Sequence, residues 1–135
     1  MSSTVLALTG FIAWALLLLV LMEAIRSGLV LTRTVPATGF DPSNSGLSPF
    51  MQRLARAHAN CLEGLPIFGG LMLVAVVTGR TAITDPLALA LLAARLAQST
   101  IHLASVSPSA ILARFAAFTV QMGIALTWTF RLLAT

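Results

Sequence analysis

Four apolar stretches, at about residues 4–25, 50–78, 85–105 and 109–133, fill nearly all of this 135-residue chain. Each is long enough to cross a bilayer, which takes about 20 predominantly apolar residues in helical form. Inside hydrocarbon every backbone N–H and C=O must be satisfied within its own segment, so such stretches are confined to helices. The fold class that follows is all-α: one integral membrane four-helix bundle over residues 1–135. A composition 58% hydrophobic and 9% charged leaves no room for a soluble domain.

Between the first two stretches, residues 27–49 hold Pro36, Gly39, Pro42, Gly46 and Pro49, a breaker content that reads as a loop. Residues 78–86, TGRTAITDP, read as a short turn, and SVSPS at 105–109 as a tight one. Glu23 and Arg26 are three residues apart at the end of the first span, where they can pair. Pro66, inside the second span, removes a backbone donor and predicts a kink there.

The charges are all arginine on the basic side, eight of them against four acids, with no lysine. They are dispersed along the spans and their ends, a pattern that does not suit nucleic-acid binding. The absence of lysine beside abundant Ala, Leu and Arg reads as the coding bias of a GC-rich bacterial genome, which places the chain in a bacterial inner membrane. Arg26, Arg33, Arg53, Arg56 and Arg114 fall in or near the first and third loops, against Arg80 and Arg131 on the opposite side. By the positive-inside rule those two loops are cytoplasmic and both termini are not. The start MSSTV lacks the basic n-region of a secretory signal. The single cysteine, Cys61, excludes an internal disulfide and reads as a small buried apolar residue.

Within the second span, Arg53, Arg56, Asn60 and Glu63 step by three, four and three, which places them on one helical face. Arg95, Gln98, His102 and Ser105 repeat that spacing in the third span, and Arg114 and Gln121 share a face of the fourth. Three inward-looking polar stripes are therefore expected. At a rise of about 1.5 Å per residue, Glu63, Arg95 and Gln121 all lie near mid-membrane. Buried charges need partners, so a Glu63–Arg95 ion pair supported by Gln121 is expected, and Glu63→Gln or Arg95→Leu should then destabilise the assembly. Arg53, Arg56 and Arg114 are expected to line the mouth of a polar pocket, with Gln98 and His102 deeper. The chain has no cluster of metal-ligand spacing, no Gly-rich phosphate loop and no nucleophile triad.

The segment RAHANCLEGLPIF at 56–68 resembles the second-helix signature of the MAPEG proteins, the membrane-associated proteins in eicosanoid and glutathione metabolism. The Arg, Asn, Glu and Pro spacing is especially similar to that of the leukotriene-forming glutathione synthase; Arg95 matches the third-helix arginine, and the plan of four helices with a long first loop matches as well. The resemblance implies a homotrimer that binds reduced glutathione between subunits near the cytoplasmic face. Carried over onto this chain, it makes Arg56, Asn60, Glu63 and Arg95 glutathione-binding residues, with Arg53 and Gln98 beside them.

Glutathione offers carboxylates to arginine forks and an amino group to a glutamate. Its thiol would be the nucleophile, made reactive by a nearby arginine that favours the thiolate. Two departures bear on chemistry. The chain has no tyrosine, although catalytic relatives use third-helix tyrosines that appear here as Gln98 and His102; and the arginine usual near the start of the fourth helix is displaced to Arg114. Arg114 and His102 are the candidates for the catalytic role at sulfur. The resemblance thus implies a membrane glutathione transferase, or a peroxidase-like enzyme, acting on lipophilic electrophiles. The alternatives are a non-catalytic family member that binds or presents a small lipophilic ligand, and a proton-coupled exporter built on Glu63.

Overall fold

The computed structural model describes residues 1–134. Its four long helices are α1 (Ser3–Leu31), α2 (Pro49–Val77), α3 (Thr81–Ala104) and α4 (Pro108–Leu133), each long and apolar enough to cross a membrane. At 24 to 29 residues they measure about 36 to 44 Å, beyond a hydrocarbon core of about 30 Å. Ser2, Ser48 and Ser107 cap α1, α2 and α4 by accepting from Val5, Met51 and Ala110 N–H, each at 3.2 Å. Proline stands at the first position of α2 and α4, where its missing donor costs nothing.

Two boundaries differ from expectation. Helix α1 runs on to Leu31, past the residues 4–25 assigned to it, because neither Ser27 nor Gly28 stops a helix and the first proline comes at 36. It ends with Arg33 at φ 57°, while Thr34 N–H reaches back to the Leu29 carbonyl at 2.9 Å. Helix α3 starts at Thr81, so most of the expected turn at 78–86 is its first turns, with Pro86 inside. The gain is a clamp: the Asp85 carboxylate accepts from Thr4 N–H at 2.8 Å and from the Thr4 hydroxyl at 2.6 Å, which puts an anion at the N-terminus of α1. Proline 66 acts as anticipated in place but through a specific distortion, a π turn over Leu65–Gly69 in which Gly70 N–H bonds to the Leu65 carbonyl.

Helix association in lipid relies on close packing more than on hydrophobic burial. The contacts are accordingly rich in small residues: Ala7, Ala15, Ala55, Ala57, Ala75 and Ala88 are all buried. Gly10 lets α1 meet α3, since a Cβ there would stand 2.8 Å from Leu92 Cδ2. Two apolar clusters result. One gathers Phe11, Phe68, Met72, Leu91 and Trp128, the other Leu18, Met22, Met51, Leu54 and Cys61. Between them, by position along α2, α3 and α4, come Gly64, Arg95, Ser99 and Gln121, a buried polar layer.

The loop of residues 32–48 is tied to this frame by Arg26. The expected Glu23–Arg26 pair is made, at 3.0 Å. Arg26 Nε also donates to Asn44 Oδ1 at 2.9 Å, its Nη2 to the Asp41 carbonyl at 3.1 Å, and its guanidinium lies 5.5 Å from the Phe40 ring centre. Asp41 accepts from the Ser43 and Ser45 hydroxyls and amides, hydrogen bonds that lower its pKa to about 2 and keep it ionised.

Candidate functional site

On α2 the face buried against the rest of the chain is Ala57, Cys61, Gly64 and Phe68. The polar stripe of Arg56, Asn60 and Glu63 is the face one residue back, so it flanks the interior instead of pointing into it, and Arg56 and Glu63 are exposed. Asn60, Glu63 and Gly64 of α2, Arg95 and Gln98 of α3 and Phe118 of α4 line one cleft of about 440 Å³, floored by Ile67 and Phe68.

Arg95 dominates that cleft. It is 1% exposed, with its guanidinium carbon 5.2 Å from the Phe11 ring centre and 5.6 Å from that of Phe68. Its Nη1 reaches the Asn60 carbonyl only at 3.5 Å, whereas Nε and Nη2 have no hydrogen-bond partner. The Cys61 thiol beside it is a weak acceptor, itself 3.4 Å from the Ser99 hydroxyl. The expected Glu63–Arg95 ion pair is not formed; the acid that does pair with an arginine in a span is Glu23, with Arg26. Gly64, not Glu63, faces the guanidinium, and Glu63 is turned about 100° away around the helix. Gln121 does not support that pair either. Its amide donates to Gln98 Oε1 at 2.8 Å and to the Ala117 carbonyl at 3.1 Å, leaving its own buried Oε1 without a partner.

A second group forms where α3 ends. Arg53 Nε donates to the Leu103 carbonyl at 2.9 Å, and Arg114 Nη1 lies 2.8 Å from His102 Nδ1. A guanidinium only donates, so Nδ1 is the acceptor and the ring proton sits on Nε2. Nδ1 is thereby occupied and does not serve as a general base in this arrangement. Arg56 lines a groove of about 360 Å³ with Pro42, Ser43, Ser45 and Gln52. The candidate residues therefore divide: Asn60, Glu63, Arg95 and Gln98 meet on the cleft, while Arg53, His102 and Arg114 gather at the end of α3.

The MAPEG family model matches residues 4–134. The chain belongs to the MAPEG family. It is thus a multi-pass membrane protein, in keeping with its four spanning-length helices. No curated protein and no solved structure matches it.

For this MAPEG chain the stripe of residues 56–63 supplies Asn60 and Glu63 to the cleft, whose other lining residues carry less pattern signal. Phe11 and Phe68, which stack on Arg95, read as ordinary apolar residues. The place of Gly64 is spatial, which its identity alone does not signal. A Cβ at Gly64 would stand 2.7 Å from Arg95 Nη2 and 3.1 Å from the Phe68 ring. Gly64→Ala is expected to push the guanidinium out of place and lower ligand affinity in the cleft about tenfold, the worth of one good charge-assisted hydrogen bond, with the fold intact. Ligand titration by calorimetry, with circular dichroism as the fold control, checks this; unchanged affinity would show that Arg95 does not act through its present position.

Proposed function

We propose that the chain is a membrane glutathione-binding protein, assembled as a homotrimer, that uses the bound thiol against lipophilic electrophiles as a glutathione transferase. The observation that carries this reading is Arg95: a buried cation with two unpartnered N–H groups beside a cleft that also carries a carboxylate and two amides. An orphaned buried donor costs about 1–3 kcal/mol, more when charged, so such a site favours an anionic ligand. Glutathione fits the donor set. Arg95 would take a carboxylate, Glu63 the ammonium group, and Asn60, Gln98 and the free Gln121 Oε1 peptide groups. Arg56, one turn before Asn60 and exposed, is available for the second carboxylate. Glutathione would supply the nucleophilic sulfur, whose unperturbed pKa of about 8.5 must fall for the thiolate to predominate at neutral pH.

The trimer is supported by the exposure of Arg56 and Glu63. Ionisable side chains on a bare helix surface within a membrane are costly, and burial against a neighbouring subunit offsets that cost. In this reading the loop of residues 32–48 and the mouth of the cleft lie on the cytoplasmic side of a bacterial inner membrane.

The test is a titration of the detergent-purified protein with reduced glutathione while thiolate ultraviolet absorbance is followed. Stoichiometric thiolate, lost in Arg56→Ala, is the expected result. Thermal stabilisation by glutathione without thiolate would support a second reading, a family member that holds glutathione or an amphiphile without turnover. The engagement of Arg114 with His102 favours that reading, because the displaced arginine is then held away from sulfur. No stabilisation at all would reject glutathione as the ligand.

A further inference from the structure

We propose that Arg53, His102 and Arg114 form a seat, separate from the Arg95 cleft, for the phosphate of an anionic phospholipid headgroup. Every free polar group on these three side chains is a donor. Arg53 uses Nε on the Leu103 carbonyl, which leaves both Nη groups available. Arg114 uses Nη1 on His102, while its Nε is buried without a partner. With Nδ1 accepting from Arg114, the His102 ring offers Nε2–H, a third donor.

No acid among the described residues neutralises this group. Glu23 is paired with Arg26. Asp41 is held by Ser43 and Ser45, and Asp85 by Thr4. Glu63 is ten residues beyond Arg53 along α2, about 15 Å away by helical rise. Side chains that can only donate suit an acceptor-only anion, such as a phosphate. It does not suit the amino-acid end of glutathione, which needs an acceptor for its ammonium group. It also disfavours a choline headgroup, whose cation would meet the arginines.

The depth is that of lipid headgroups. Counted from the helix ends, His102 lies about 3 Å in, Arg53 about 6 Å and Arg114 about 9 Å, at the boundary between headgroup and hydrocarbon. The acyl chains have a surface to lie on: Ile111, Leu112 and Phe115, which surround Arg114 along α4, are all exposed.

The full-length protein in detergent is titrated with phosphatidylglycerol, with phosphatidylcholine of the same acyl chains, with inorganic phosphate and with reduced glutathione, and its thermal stability is followed. Phosphatidylglycerol is expected to raise the melting temperature saturably and phosphatidylcholine to leave it unchanged. Arg114→Gln and Arg53→Gln are each expected to weaken the half-saturating phosphatidylglycerol concentration about tenfold. Arg114→Lys, which keeps the charge and loses the fork, provides a milder variant if the glutamine form fails to fold, and is expected to weaken it less. Arg33→Gln, which removes one charge from the exposed loop at the same end, is expected to have no effect. Equal stabilisation by the two lipids, or a loss in Arg33→Gln as large as in Arg114→Gln, would overturn the seat in favour of diffuse surface charge. Displacement of phosphatidylglycerol by millimolar inorganic phosphate would assign the seat to phosphate from solution, and competitive displacement by glutathione would make it part of the glutathione site; either result overturns the lipid assignment.

Discussion

Arg95→Leu is expected to weaken glutathione binding at least about a hundredfold while moving the melting temperature of the ligand-free protein by no more than about 5 °C. The two halves of this result have separate causes. In the bound state Arg95 Nε and Nη2, which have no partner in the protein, would each make a charge-assisted hydrogen bond. Two such bonds at about 1.5–3 kcal/mol each account for the loss of affinity. In the ligand-free state the guanidinium sits 1% exposed against two phenylalanine rings. Desolvating an ion costs several kcal/mol, and two desolvated cation–π contacts return about 2 kcal/mol each, so the terms nearly cancel.

Leucine gives up both terms and packs among Phe11, Phe68 and Leu91. The ion-pair expectation predicts a different outcome, because removing one partner of a buried pair costs about 3–5 kcal/mol, or roughly 10–20 °C in a chain of this size. Isothermal titration with glutathione and thermal unfolding of the same preparation separate the two. A fall of 10 °C or more would mean that Arg95 has an anionic partner in the assembled protein.

That contrast shows where the sequence was informative and where it was not. The four helices were legible because an apolar run of bilayer length has few structural options, and the starts of α2 and α4 are written as Ser-Pro at 48–49 and 107–108. The polar stripe on α2 was legible from its spacing. Its direction was not: periodicity says that Arg56, Asn60 and Glu63 share a face, but the partner of that face depends on how α2 rolls against α3. The buried face is set one residue further on, by Cys61, Gly64 and Phe68. A glycine and a cysteine carry little pattern signal, so the roll was invisible. The same limit hid the His102–Arg114 contact, since the two residues lie on helices joined by a turn whose geometry the SVSPS segment does not spell out. What spacing did supply was membership: Asn60, Glu63, Arg95 and Gln98 do line one cleft.

Asn44 went unremarked for a related reason, and Asn44→Ala is expected to destabilise the protein by about 3–5 kcal/mol, among the largest effects of any single change outside the cleft. A polar residue in a loop of Ser, Gly and Pro looks dispensable. In the structure Asn44 is fully buried, with φ at 55°. Its Oδ1 accepts from Arg26 Nε and Nη2, and its Nδ2 donates to the Met51 carbonyl at 2.7 Å in the first turn of α2. One side chain therefore fastens the end of α1, the loop and the start of α2.

Alanine would leave Arg26 short of its acceptor, would lose the bond from the loop to the Met51 carbonyl, and would hold a Cβ in the left-handed region at a cost of about 1–2 kcal/mol. Asn44→Gly removes that last cost alone, so it should be less destabilising than alanine by about that amount. Asn44→Asp keeps the acceptor for Arg26 but loses the donor to Met51, and should fall between wild type and alanine. Reversible unfolding in mixed detergent and denaturant, read by circular dichroism, orders the four proteins. The expected order of stability is wild type, aspartate, glycine, alanine. Glycine and alanine variants of equal stability would show that the left-handed backbone at residue 44 relaxes once its hydrogen bonds are gone, and alanine at wild-type stability would mean that the loop of residues 32–48 is not fastened through Asn44 at all.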